Sequence, residues 1–286
     1  MNDKKAGRSL PSVLMLILFI VFTVVALFPL FALLLASFKP SQELLRYGLN
    51  LKIQPELLTL RNYMSVFLPN EFGATSSYLL WYKNSIVITA VFTVICLLFS
   101  SLVGYGLAVY RFAGRNLIFL MVLVVMMIPI EILLLPMYKL MISLKLIDTI
   151  WGVILPFAVA PLPIFFFRQY AMGLPKDFLD ASRIDGCTEF GIFFRIMMPL
   201  MAPAYGAMAI LQALHSWNNF LWPIIVLRTN EKLTLPIGLS SLVTPYGNNY
   251  DILIAGSLLT VLPLIVLFLF FQRFFISGLT VGGVKG

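Results

Sequence analysis

Long apolar stretches, cut by short polar clusters, set the pattern of this chain. Six of them are long enough to cross a bilayer, which takes about 20 helical residues. They fall near 11–37, 84–109, 117–142, 150–168, 200–227 and 252–276. No train of ten-residue alternating segments appears, so the spans read as helices and not as barrel strands. The fourth, WGVILPFAVAPLPIFFF, is short and carries Pro156, Pro161 and Pro163, which predicts a kink. The expected fold class is therefore all-α, a polytopic membrane protein with six transmembrane helices. Its organisation reads as an N-terminus over 1–10, a six-helix domain over 11–276 and a tail over 277–286. The basic start MNDKKAGRSLPS precedes an apolar run too long for a signal peptide, so the first span reads as uncleaved. Basic residues divide only narrowly between the two sides. Discounting the long 38–83 segment puts both termini and the 169–199 segment on the cytoplasmic side.

Between the fourth and fifth stretches the pattern breaks. Asp180, Arg183, Asp185, Glu189 and Arg195 fall within sixteen residues of DASRIDGCTEFGIFFRIMMPLMAP. Pro175 suits a first helical turn, and Asp177 and Asp180 suit the positive helix end. Phe178, Ala181 and Ile184 form a short stripe, Gly186 is a left-handed terminator, and Thr188 is an N-cap for a second helix. The result is a helix–turn–helix elbow over 175–199. On these grounds alone it is equally a surface connector or a docking knob, with Ala181 and Ser182 small enough for close approach.

Composition narrows the classes. The chain has 286 residues, 60% hydrophobic and 11% charged, far below the quarter charged that water-soluble domains carry. The net charge of +8 is scattered at segment ends, which argues for loop charges and against nucleic acid. Cys96 and Cys187 make neither a disulfide framework nor a metal site, and His215 is the single histidine. No nucleophile–base cluster points to a membrane enzyme. The two halves do not repeat, and Glu131 is the one good intramembrane acid, so a stand-alone secondary transporter is disfavoured.

The spacing of Asp180-Ala181-Ser182, Gly186, Ile196 and Pro199 resembles the cytoplasmic signature of ABC importer permeases: Glu-Ala-Ala, three residues, Gly, nine, Ile, one, Leu, Pro. Asp180, Ser182 and Met198 depart from it mildly. The end GLTVGGVKG is similar to the tail of the carbohydrate, maltose-type subgroup, and the resemblance covers nearly the whole chain. It implies a type I importer permease fold in a bacterial cell membrane. It also implies a sister permease, two cytoplasmic ATPase subunits and an extracytoplasmic solute-binding protein as partners. The cargo implied is a carbohydrate, an arabinose-containing or other oligosaccharide, with polyamine or phosphate as alternatives. The elbow becomes an ATPase-coupling element of Asp180, Ala181, Ser182, Asp185, Gly186, Ile196 and Pro199. With no G-x-x-x-x-G-K-[ST] loop, this chain is expected to hold no cofactor, ATP and Mg belonging to the partner ATPase.

For the substrate path, Trp217 and Trp222 are candidates to stack on sugar faces, and Asn218 and Asn219 to bond hydroxyls. Gln212 extends that stripe, and Glu131 stands between Pro129 and Pro136. The competing reading of SWNNFLW, a helix interface with an aromatic belt, is slightly favoured. By resemblance, Tyr246, Asn248 and Asn249 are candidate contacts to the binding protein. The tail with Gly282, Gly283 and Lys285 reads as a frayed end; the resemblance instead implies a segment reaching between the ATPases.

Overall fold

The computed structural model describes residues 10–40, 43, 52, 54–68, 77–243 and 250–280. Among them the helices run in order as α1 Leu10–Ser37, α2 Arg61–Phe67, α3 Tyr78–Val109, α4 Arg115–Met126, α5 Ile130–Ser143, α6 Ile150–Ile154 and α7 Pro161–Met172. They continue as α8 Asp177–Ile184, α9 Glu189–Ile192, α10 Met198–Leu200, α11 Ala202–Trp217, α12 Leu221–Val226, α13 Leu235–Ser241, α14 Tyr250–Leu259 and α15 Val261–Thr280. No strand occurs among the described residues. The chain forms two compact units, residues 1–76 with 242–259, and 77–241 with 260–286.

In the first unit α1 is apolar all round, and its residues from Ser12 to Phe31 are exposed. So long an apolar surface left exposed is at home only in lipid or against another apolar surface, and α1 meets its own unit through α14 and α2. Its last turn is closed by α2. The Asn62 side-chain amide donates to the carbonyls of Ser37 and Lys39, both at 2.8 Å, supplying partners that a helix end lacks.

The second unit is built around α3, which packs on α7 and α11, with α15 on α11. At Gly104 a Cβ would stand 2.8 Å from the Ile164 carbonyl oxygen, so only glycine permits this approach of α3 to α7. One apolar core gathers Tyr105, Phe167, Leu179, Ile192, Phe193 and Met201 toward the C-terminal end of α3. Another gathers Ile88, Phe92, Met141, Ile154, Trp222 and Val226 toward its N-terminal end.

By length and composition, 12–37, 78–109 and 252–273 can each cross a membrane, and three bent pairs bring the total to six. The expected spans are thus present but less regular. The fourth bends by 45° before Pro161, as its prolines predict. The third, expected continuous over 117–142, breaks by 104° between α4 and α5. Pro129 there is extended (ψ 134°), and a proline disfavours helix in the residue before it. The fifth turns by 77° ahead of α11 and stops at Trp217, with Asn218–Phe220 interrupting the expected run to 227.

Candidate functional site

The elbow forms largely as its local signals require. Helix α8 starts at Asp177 with Lys176 as N-cap, so Pro175 lies two positions ahead of the first turn expected for it. Gly186 ends the helix at φ +77°, where its N–H donates to Arg183 O (3.1 Å) and Cys187 N–H donates to Ser182 O (3.0 Å). This pairing satisfies the last carbonyls and needs a residue tolerant of the left-handed region. Thr188 Oγ1 then accepts from Gly191 N–H at 3.1 Å and starts α9. After α9 the helix widens into a π-turn over Phe193–Met197 just before Pro199, which has no N–H to give.

Burial divides the elbow into an anchor and a face. Leu179 is 6% exposed and packs with Phe167, Ile192 and Phe193. Ser182, expected to offer close approach, is instead buried, and its hydroxyl donates to the Phe178 carbonyl. The stripe of Phe178, Ala181 and Ile184 faces outward, with Ile184 86% exposed, and Phe190 stands out beside it. Asp180, Asp185 and Gly186 are exposed with them. Ile196 is half-buried and lines a cavity with Asp185, Gly186 and Phe190, whereas Pro199 lines a groove in the membrane domain.

One polar link ties the elbow to the body. Glu189 accepts from Tyr110 Oη at 2.6 Å and from Arg183 Nε and Nη2 at 2.9 and 3.3 Å. Arg183, and then Tyr110, hold the Glu189 carboxyl below its ordinary value. Tyr110 is the C-cap of α3, so this bond joins the elbow to the end of the longest helix of the unit.

At the other end of α3 lies a polar clasp with no signature in the sequence. Asp148, itself at φ +58°, accepts from the N–H groups of Arg228 (2.9 Å) and Thr229 (3.1 Å), from Thr229 Oγ1 (2.6 Å) and from Lys232 Nζ (2.9 Å). Burial opposes its ionisation, yet these hydrogen bonds outweigh it and hold the carboxyl well below the usual carboxylate range. Trp81 Nε1 donates to Asn230 O, and Asn84 Nδ2 to Glu231 O and Leu233 O. Thirty-two helical residues rise about 48 Å, more than the roughly 30 Å hydrocarbon core, so elbow and clasp stand on opposite sides of a membrane.

Between them lie the path candidates. Trp222 is 1% exposed and donates through Nε1 to Gly152 O at 3.0 Å, which makes it a core residue and removes it from sugar stacking. Trp217 is buried edge-on against Tyr82. Gln212 is buried beside Cys96. Asn218 donates to Leu214 O within its own helix. The interface reading of SWNNFLW therefore fits the packing better than the stacking reading. Two of them still face open space: Asn219 lines a small cavity with Ser85, Thr89, His215, Ser216 and Thr234, and Trp217 lines the larger apolar groove. Ser85, Thr89 and Thr234 escaped the sequence reading because isolated hydroxyls in apolar helices carry no spacing signal. Glu131 is exposed in the first turn of α5, immediately after the 104° break. A separate groove of about 730 Å³ between α3, α11 and α15 is apolar apart from Thr89, Thr93 and Tyr205. Tyr246, Asn248, Asn249, Gly282, Gly283 and Lys285 lie outside the described residues.

The fold and site define a helical membrane protein with an exposed elbow at one end of α3 and a closed clasp at the other. Residues 97–281 match the profile of the family described as "Binding-protein-dependent transport system inner membrane component", and the chain belongs to that family. It is 61% identical over 268 residues, 94% of each chain, to the "Arabinooligosaccharides transport system permease protein AraQ" of Bacillus subtilis (strain 168). The protein of the same name from Halalkalibacterium halodurans is 61% identical over 262 residues, 92% of each chain. In fold, the chain is similar to a protein from the "Crystal structure of a bacterial ABC transporter involved in the import of the acidic polysaccharide alginate". The TM-score there is 0.78 at 22% identity, over 94% of this chain and 98% of that one.

Proposed function

We propose that the chain is one of two permease subunits of an ATP-driven importer for oligosaccharides, arabino-oligosaccharides foremost, in a bacterial cell membrane. The elbow is its contact to a cytoplasmic ATPase, and both termini share that side. The observation that carries this reading is the outward stripe of Phe178, Ala181 and Ile184 on a helix whose opposite side is pinned by Leu179. A connector lying on its own domain would turn that stripe inward; a docking knob leaves it bare for a partner.

ATP and Mg act in the partner subunits, and this chain's share of the work is mechanical. Closure of two ATPases on ATP displaces the elbow, and the Glu189–Tyr110 bond and the Leu179 core carry the displacement into α3. A rigid element with two discrete arrangements is what such coupling requires. Asn219, Ser216, Thr89 and the exposed Glu131 are this subunit's polar candidates along the path, and an extracytoplasmic binding protein delivers the cargo. The experiment is uptake by the assembled importer in proteoliposomes with its binding protein. Arabino-oligosaccharide accumulates only with ATP inside; accumulation without any ATPase subunit overturns the reading.

A further inference from the structure

Tyr105 carries a hydroxyl that the fold buries and leaves unused. It stands on α3 with 3% of its surface exposed, and its Oη is enclosed with no hydrogen-bond partner. A buried tyrosine hydroxyl normally finds one, because leaving it unsatisfied costs more than a made bond gains. The ring itself is well packed, edge-on to Tyr110 at 5.8 Å and tilted against Phe193 at 5.2 Å. The apolar core around it includes Leu179, the anchor of the elbow.

The polar link of the elbow surrounds that hydroxyl. The carboxylate of Glu189 and the guanidinium of Arg183 both act on it. So does the Tyr110 hydroxyl, though no bond of normal geometry joins the two phenols. Tyr110 Oη donates its one proton to Glu189 at 2.6 Å, which leaves its lone pairs open to a donor. Tyr110 lies just past the end of α3 in an extended conformation (φ −84°, ψ 144°), so its ring can shift against Tyr105 without unwinding the helix. Phe193, which packs on Tyr105, follows Glu189 by four residues and opens the π-turn. Side chains four apart on a helix share a face, so the start of the second elbow helix meets both tyrosines.

We propose that Tyr105 is a positioning residue of the elbow, a reserve donor that bonds Tyr110 Oη only when the ATPase displaces the elbow. The chain from Tyr105 through Tyr110 and Glu189 to Arg183 is then continuous, and each bond in such a series strengthens the next. An interaction made in one arrangement and missing in the other shifts the balance between them, whereas one present in both shifts nothing. The inference rests on the reading of the elbow as the ATPase contact and adds a residue to it.

The test is Tyr105→Phe in the importer reconstituted with its ATPase and binding protein, beside Tyr110→Phe and the double variant. Tyr105→Phe removes a hydroxyl with no partner in this arrangement, so the Tm of the permease should stay level or rise slightly. ATP-driven uptake of arabino-oligosaccharide should nonetheless fall roughly fivefold, the weight of about one hydrogen bond. Tyr110→Phe breaks the existing bond to Glu189 and should lower both Tm and uptake. In the Tyr110→Phe background the second substitution should lower uptake no further, because the acceptor is gone. Unchanged uptake in Tyr105→Phe, a Tm lowered as far as by Tyr110→Phe, or additive losses in the double variant would each overturn the proposal. Those outcomes leave the importer reading intact, which fails only if the wild-type assembly takes up sugar without ATP.

Discussion

Asp148 and Glu189 both collect hydrogen bonds near an end of α3, yet they close different things. Around Asp148 every bond runs inward: two backbone N–H groups, a hydroxyl and an ammonium converge on one carboxylate. Around Glu189 the bonds fix an elbow whose far side stays bare, with Ile184 almost fully exposed and Phe178 and Phe190 beside it. One end is closed on its own residues, and the other leaves its apolar side chains bare. In a membrane chain, where exposed apolar area is ordinary within the bilayer, the informative apolar surface is the one carried by a charged, water-facing segment.

The largest expected effect lies on the anchored side of the elbow. Leu179→Ala should destabilise the protein by about 2–4 kcal/mol, the usual cost of emptying a buried leucine site, and should lower its level in the membrane. Gly186→Val forces a branched residue to φ +77° and should cost about 1–2 kcal/mol, with uptake reduced more than membrane level. No atom lies within 4 Å of a Cβ at Gly186, so this loss reports backbone geometry and not a clash.

Acid should separate the two ends more gently. Both carboxyls are held below their ordinary values in the folded state. Each therefore contributes stability that is complete above the unfolded value, near 4, and lost as pH falls through the folded one. Thermal unfolding followed from pH 7 downward should show an acid-side loss that Asp148→Asn reduces. Glu189→Gln should do the same by a smaller amount, because its ion pair with Arg183 is largely solvated.

Much of this comparison is legible in the sequence where it depends on neighbours in the chain. Gly186 as terminator, Thr188 as cap and the kink before Pro161 follow from local chemistry. The stripe Phe178–Ala181–Ile184 is legible too, but not its direction, because spacing of three fits an inward or an outward face equally. Leu179, the true anchor, sits off that stripe. What escaped the sequence depends on distant partners. Trp222 looks available for a sugar until Gly152, seventy residues earlier, accepts its N–H. Asp148 looks like any loop acid until residues 228–232 fold around it. The 104° break at Pro129 shows how far a single proline can redirect a stretch that reads as one span.

The elbow's exposed face is tested most directly by Ile184→Asp in the importer reconstituted with its ATPase and binding protein, following substrate-stimulated ATP hydrolysis. Because Ile184 is 86% exposed, the variant should fold and reach the membrane with its stability changed by less than about 0.5 kcal/mol. The account predicts that stimulation of the ATPase is nonetheless lost. Wild-type stimulation in a correctly inserted Ile184→Asp permease would contradict it.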